Sequence, residues 1–491
     1  MVYDASMSSY DQYDPWLEPP EPSHAESASA APPAAERQPP AAPRPLRTAI
    51  AWGVIILSTI VIMAMQYKVS QLPPPPPSDT SPGLDMVLIG RLAIGFERVF
   101  NENDPQMLAT LDQQAAQSPF TTTDQMRLAV VVAELQGPEA AFARLDPLSD
   151  KQLNTSLEPP GDFIADQQLL KRIYSNEAYV PSTSEAQDLA QRHGWFGELA
   201  AGYNLPTQNA LHFGPRAEAS NTVYLIIGFA LILILVAFAG FGLMVTAIIL
   251  IAMGKIRAKF EPGPLAHNSA YLEMVAIFLA AFIGIQLLAL LLAPIVGVDL
   301  MLPTLLLMAV PLLWPLFCGV STEQYRRDMG LIAPHGIFKE IFSGIFGYLA
   351  GLPIIFCGII ATIIIAMITG MDSEHPAGRE ILTGGTYEII LLVLATIVWA
   401  PLVEEMVFRA AFYRHMRKIP GWATWLAATI VTSFIFAAIH PQGVVSVPLL
   451  MSIAIVLAGL RQWRGSLVAP ITAHAMHNGT IITMAITLLY L

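Results

Sequence analysis

Apolar side chains in this chain are gathered into long runs rather than scattered at surface-helix spacing. The first, Thr48 to Tyr67, is uncharged and about 20 residues long, enough to cross roughly 30 Å of hydrocarbon at about 1.5 Å per residue. Further runs lie near 222–253, 270–293, 301–320, 342–369, 386–406, 423–440, 443–460 and 467–491. The pattern predicts an all-α fold, a polytopic transmembrane helical bundle of about nine spans. Pro303, Pro311 and Pro315 interrupt the run 301–320, and 443–460 is short.

Between the first run and the others the pattern changes. Leu88, Ile89, Leu92, Ala93 and Phe96, then Leu128, Val131, Val132 and Leu135, recur at helical spacing, with breaks at Gly137-Pro138 and Pro159-Pro160. This predicts a small helical extramembrane domain over 85–219. The expected organisation is a Pro/Ala-rich disordered tail at 1–47, a signal-anchor helix at 48–67, and a Pro-rich linker at 68–84 stiffened by Pro73 to Pro77. After the extramembrane domain come transmembrane helices with a basic loop at 222–339 and a C-terminal core at 340–491.

Composition agrees with a bilayer as solvent: 54% of residues are hydrophobic and 13% charged, about half the charge of a typical soluble domain. The net charge of −12 provides no electrostatic footprint for nucleic acid. Met1 to Ser6 lack the basic, then apolar start of a cleavable signal. Arg44 and Arg47; Lys255, Arg257 and Lys259; Arg326, Arg327 and Lys339; Arg414, Arg417 and Lys418; Arg461 and Arg464 all follow an even number of crossings. The retention of Lys and Arg in cytoplasmic loops then predicts a multi-pass plasma-membrane protein with a cytoplasmic N-terminus and 85–219 outside. Cys318 and Cys357 sit in apolar runs without paired spacing and are expected to pack in the core.

Ionisable residues within spans are costly and mark cavities or sites. Three such places occur in the last hundred residues. Glu404 and Glu405 are adjacent, and Arg409 follows Glu405 at i+4, so Glu405 and Arg409 are expected to form an ion pair on one helical face. Glu404, turned about 100° away, is left as a proton-accepting carboxylate. Phe436 and His440 share a second helical face, and His474 and Asn478 a third. Glu404 precedes Arg414, and His474 follows Arg464, by about 15 Å of helix, which sets both at one depth. A carboxylate, two imidazoles and a carboxamide around one cavity suit hydrolysis by activated water. They equally suit a zinc site through Glu404, His440 and His474, although no HExxH is present. His477 is read as a bystander, Phe408 and Phe436 as core aromatics, His415 and His375 as solvated loop ends, and Glu273 and Glu388 as interfacial.

The ordered set EExxxR, FxxxH and HxxxN over roughly 340–491 resembles the CPBP (CAAX protease and bacteriocin-processing, Abi) family of intramembrane peptidases, which includes the CAAX prenyl-protein proteases. The resemblance implies an intramembrane endopeptidase in which Glu404 and His440 activate water while His474 and Asn478 stabilise the oxyanion. It also implies a metallopeptidase as a second scheme, so the cofactor is none or zinc. The partners implied are the lipid bilayer and a peptide or protein substrate, lipid-modified in the CAAX branch. Two other readings use the same residues: a non-catalytic immunity or interaction scaffold, and a proton-coupled transporter, for which no repeated pair of interrupted helices is evident.

Overall fold

The computed structural model describes residues 45–70, 84–101, 122–153, 162–260, 268–296, 301–371, 385–418 and 421–490. The expected tail up to residue 44, most of the proline linker, Pro159-Pro160 and His375 lie outside the described residues. No strand occurs among the described residues, and the fold is an all-α helical bundle. In chain order the helices are α1 Pro45–Ser70, α2 Leu84–Phe100, α3 Thr122–Gln136, α4 Pro138–Leu153, α5 Phe163–Ser175, α6 Thr183–His193, α7 Trp195–Ala201, α8 Ala210–Ala252 and α9 Asn268–Val296. There follow α10 Leu302–Phe317, α11 Thr322–Met329, α12 Ile337–Thr369, α13 Thr386–Met416, α14 Trp422–Ala438, α15 Val447–Arg464 and α16 Val468–Tyr490.

Among the described residues, six helices are long and apolar enough to cross a membrane by length and composition. They become seven if α10 and α11, which meet at a 117° bend, count as one span. The expected nine are therefore reduced, for three reasons. The run 301–320 ends at a sharp break between Phe317 and Thr322, where Gly319 takes φ +89. Helix α14 has 17 residues, just short of what a bilayer requires. Helix α16 has 23 residues but carries His474, His477 and Asn478, which dilute its apolar character.

Helices α2 to α7 and the first turns of α8 share a hydrophobic cluster of their own, from Met86 to Ala219, with Val132, Leu145, Phe196 and Leu199 fully enclosed. The break at Gly137-Pro138 separates α3 from α4, because Gly137 takes φ +89 and Pro138 starts the next helix, where a missing N–H costs nothing. Helix α6 starts with a capping box between Ser182 and Glu185. Helix α8, 43 residues long and about 65 Å at helical rise, buries Pro215, Arg216 and Ala219 in this cluster and then continues as an apolar span.

Two buried acids in this cluster have opposite pH signatures. Burial pushes the Glu134 carboxyl up to about 6 against the pull of its partner Arg216. Burial also acts on Asp166, but hydrogen bonds from His193 (3.0 Å) and Arg192 (2.6 and 2.8 Å) outweigh it and lower its pKa. Asp166 therefore stabilises the fold above its unfolded value and loses that contribution as pH falls. For Glu134 the sign reverses: its contribution is present below about 4.5 and is lost as pH rises through about 6. The loss is about 2 kcal/mol. Amide exchange over 122–136 should speed up between pH 4.5 and 6.5 after correction for intrinsic rates, and Glu134→Gln should flatten that dependence. An unchanged slope in the variant removes Glu134 as its source.

The hydrophobic core that holds the candidate chemistry joins Ala51, Ile55 and Ile62 of α1 to Tyr271–Leu279 of α9, Val407–Phe412 of α13 and Phe436 and Ile439 at the end of α14. Helix α12 lies against α15 and α16 through glycines. A Cβ at Gly344 would come 2.5 Å from the Ala469 carbonyl oxygen, and one at Gly358 2.3 Å from Ser452 Oγ. That closeness fixes where α16 carries its histidines.

Several basic residues expected in exposed loops are instead sealed at one end of the bundle. Arg414 pairs with Asp328 at 2.8 Å, and Tyr271 donates to the same carboxylate at 2.9 Å. Arg464 grips Glu340 with two bonds of 2.7 and 2.8 Å. Arg461 is buried against the carbonyls of Arg409, Asp328 and Gly465, with its guanidinium over the Phe260 ring. His415, expected at a solvated loop end, is likewise buried and packs edge-on against Trp52, because α13 runs on to Met416. The expectation for the cysteines is corrected too: Cys318 is half-buried and Cys357 exposed.

Candidate active site

Helix α13 does not keep α-helical winding. Residues Ala395–Trp399 and Met406–Phe412 are π-helical, and Ala400–Glu405 between them is α-helical. The two adjacent glutamates sit at the second of these changes. π-turns are rare and concentrate at functional sites. Helix α14 ends at Ala438, with Ile439 as C-cap, and His440 lies just beyond, where Pro441 cannot continue the helix. His474, His477 and Asn478 project from α16.

These elements bring three of the four expected residues together. Glu404 Oε2 is 3.6 Å from His440 Nε2 and 3.8 Å from His474 Nε2. Glu405 takes a separate position: its Oε1 accepts from His474 Nδ1 at 3.0 Å and pairs with Arg409 at 2.9 Å. Exposure divides the two carboxylates, since the Glu405 side chain is 0% exposed and that of Glu404 24%. The sealed acid is bound to its cation, and the other, partly exposed along its side chain, turns a buried Oε2 toward the imidazoles.

The imidazoles are oriented through their other nitrogens. His440 Nδ1 lies 2.5 Å from the Phe436 carbonyl oxygen, and His474 Nδ1 faces the Glu405 carboxylate. Both partners are acceptors, so each Nδ1 carries a hydrogen and each Nε2 is turned toward Glu404. Glu404 Oε2 is itself buried and takes no hydrogen bond from the protein. A carboxylate oxygen and two ring nitrogens facing one another are complementary to a small hydrogen-bonding group such as water. The separations of 3.6 and 3.8 Å exceed a direct hydrogen bond and suit a bridged one.

Phe436 is the packing centre of the site. Its ring lies 4.3 Å from that of His440 and 6.0 Å from that of His474, and Phe408 meets it edge-on at 5.2 Å. The Arg409 guanidinium stacks over its face at 4.4 Å. Asn478 is placed differently from the other three. Its Nδ2 donates to the Thr396 carbonyl at 2.9 Å, in the first π segment, one helical turn along α16 from His474. His477 bonds Tyr348 Oη at 3.2 Å instead of joining the cluster. Glu273 accepts from Trp314 at 2.9 Å, Glu388 is exposed, and Glu323 pairs with Arg327.

Two contacts of the site fall on residues that motif spacing does not reach. One is the Thr396 carbonyl; the other is Gln66 of α1, whose Nε2 donates to the His440 carbonyl at 2.6 Å. Gln66 could have been read from pattern, as the last residue of the inward stripe Ala51, Ile55, Thr59 and Ile62.

Tetrahedral zinc ligands at about 2.0–2.2 Å from the metal stand about 3.3–3.6 Å apart, slightly closer than the 3.6 and 3.8 Å separations here. Among the described residues no group of three His, Cys, Asp or Glu side chains is gathered to hold a metal ion. To hold one, these side chains would have to draw slightly closer together.

Residues 386–480 match the family described as Type II CAAX prenyl endopeptidase Rce1-like. The chain is also similar to an uncharacterized 24.3 kDa protein of Escherichia coli, 30% identical over 89 residues. That alignment covers 18% of this chain and 41% of the relative. No solved structure gives a match. The matched family segment contains Glu404, Glu405, Arg409, His440 and His474, which the helices bring to one place, and also Asn478. Over residues 386–480 the chain is therefore similar to the Rce1-like type II CAAX prenyl endopeptidases, in keeping with the CPBP resemblance of its motifs.

Proposed function

We propose that this multi-pass membrane protein is an intramembrane endopeptidase that hydrolyses a peptide bond in or beside a membrane segment or lipid-modified tail. The observation that carries the reading is the convergence of Glu404, His440 and His474 from three helices onto one carboxylate oxygen. The N-terminus lies in the cytoplasm and 85–219 forms an extracytoplasmic domain, a reading supported by Arg44 and Arg47 at the start of the first span and Lys255, Arg257 and Lys259 after the second.

Glu404, with His440 beside it, takes a proton from water, and the water oxygen bonds to the scissile carbonyl carbon as the carbonyl electron pair moves onto oxygen. Collapse of that tetrahedral species expels the amine, which receives the proton from Glu404. His474, entering the step as an imidazolium that has taken its second proton from solvent, donates Nε2–H to the oxyanion and keeps that proton throughout, with Glu405 balancing the charge across the ring. Asn478 contributes its second amide hydrogen, the first being held by Thr396.

The test compares peptide termini of membrane proteins in cells making wild type or Glu404→Gln. Termini made only by the wild type support a peptidase, and identical profiles reject it. A companion measurement addresses the metal: full-length protein purified without chelators should carry well under one zinc per chain and keep its activity in EDTA. Stoichiometric zinc lost together with activity would replace the water scheme by a metal one.

A further inference from the structure

The segment that matches the family begins at residue 386, yet the candidate site is closed by a helix more than three hundred residues upstream. Helix α1 packs into the same core as α13 and α14, with Ala51, Ile55 and Ile62 buried beside Phe408, Phe412, Phe436 and Ile439. Trp52 lies 5.5 Å from Phe412. The inward face continues to Gln66, where a half-buried polar side chain ends an apolar stripe. Its Nε2 donates to the His440 carbonyl at 2.6 Å.

That carbonyl has few other means of being held. His440 is past the last turn of α14, its carbonyl cannot continue the helical ladder, and its remaining partner is the amide of Gly443 at a long 3.4 Å. Gly443 takes φ +81, so the turn 440–443 is shaped by a glycine and anchored from outside by Gln66. The ring of His440 is fixed from within α14 by Phe436, and its backbone from α1.

We propose that Gln66 is a positioning residue for His440, so that the anchor helix forms part of the catalytic unit. The inference rests on the peptidase reading above. It predicts that the donor, not the bulk, is what matters at position 66. Gln66→Met keeps length and packing but removes the N–H; Gln66→Lys keeps a donor of similar reach.

The experiment uses the full-length chain in lipid nanodiscs and labels histidines with diethyl pyrocarbonate, read residue by residue by mass spectrometry. In Gln66→Met the labelling rate of His440 should change by about threefold or more, the equivalent of one lost hydrogen bond, while that of His477 stays as in wild type. Gln66→Lys should return His440 to the wild-type rate. In cells, the termini that depend on Glu404 should form about tenfold or more slowly in Gln66→Met, as expected for a displaced catalytic group, and recover in Gln66→Lys. Unchanged His440 labelling in Gln66→Met overturns the inference, and so does unchanged cleavage beside a wild type that cleaves. If wild type and Glu404→Gln do not differ, the peptidase reading is what fails, and the labelling still decides whether Gln66 holds His440.

Discussion

Glu404→Gln is expected to lower turnover by about 10²- to 10⁴-fold while the protein still accumulates and folds in the membrane. Gln is nearly isosteric with Glu and keeps an oxygen acceptor, so the packing around the site changes little. What it cannot do is take a proton from water. Glu404 forms no ion pair with Arg409, that position being filled by Glu405 at 2.9 Å, so its neutralisation leaves no cation stranded. The measurement is the rate at which Glu404-dependent termini appear, normalised to protein level, alongside the thermal unfolding midpoint in detergent. A midpoint close to wild type with activity gone is the expected result. Retained activity would exclude Glu404 as the base.

Arg409→Met should have the reverse character, a large loss of stability. It would leave Glu405, which is 0% exposed, as a buried carboxylate facing His474 without its cation. It would also remove the guanidinium from the Phe436 face and from the Ala454 carbonyl. Breaking a buried pair from one side costs about 3–5 kcal/mol, enough to reduce membrane-extracted protein sharply. The double variant Glu405→Leu with Arg409→Met should recover much of the midpoint, because two apolar groups replace a neutralised pair. It should not recover turnover, because His474 Nδ1 then has no acceptor. A single variant as stable as wild type would show that the pair is not what holds α13, α14 and α15 together.

The fold class and the gathering of the site were legible for a simple reason: both depend on residues that a bilayer makes costly. Apolar runs of span length admit few alternatives to helices, and acids or imidazoles within them must face one another. The break at Gly137-Pro138 was legible for a local reason, a positive-φ glycine before a proline. The π winding of α13 was not, because Ala395–Trp399 and Met406–Phe412 have nothing in composition to separate them from α-helix. Counting by 3.6 residues nevertheless paired Glu405 with Arg409, since four residues bring them close in either winding. The same counting could not foresee that Asn478 would reach back to the Thr396 carbonyl. The burial of His415 was missed because the basic residues around it looked like a loop, whereas Trp52 of a distant helix covers it.

Arg414, Arg461 and Arg464 are subject to two demands at different times. During insertion their charges bias which way the neighbouring helices are threaded; afterwards they are locked to Asp328, to backbone carbonyls and to Glu340. A charge-swap experiment on these positions would therefore report lost packing as if it were altered orientation. Sidedness in this molecule is better mapped from Lys255, Arg257 or Lys339, whose side chains remain outside the bundle.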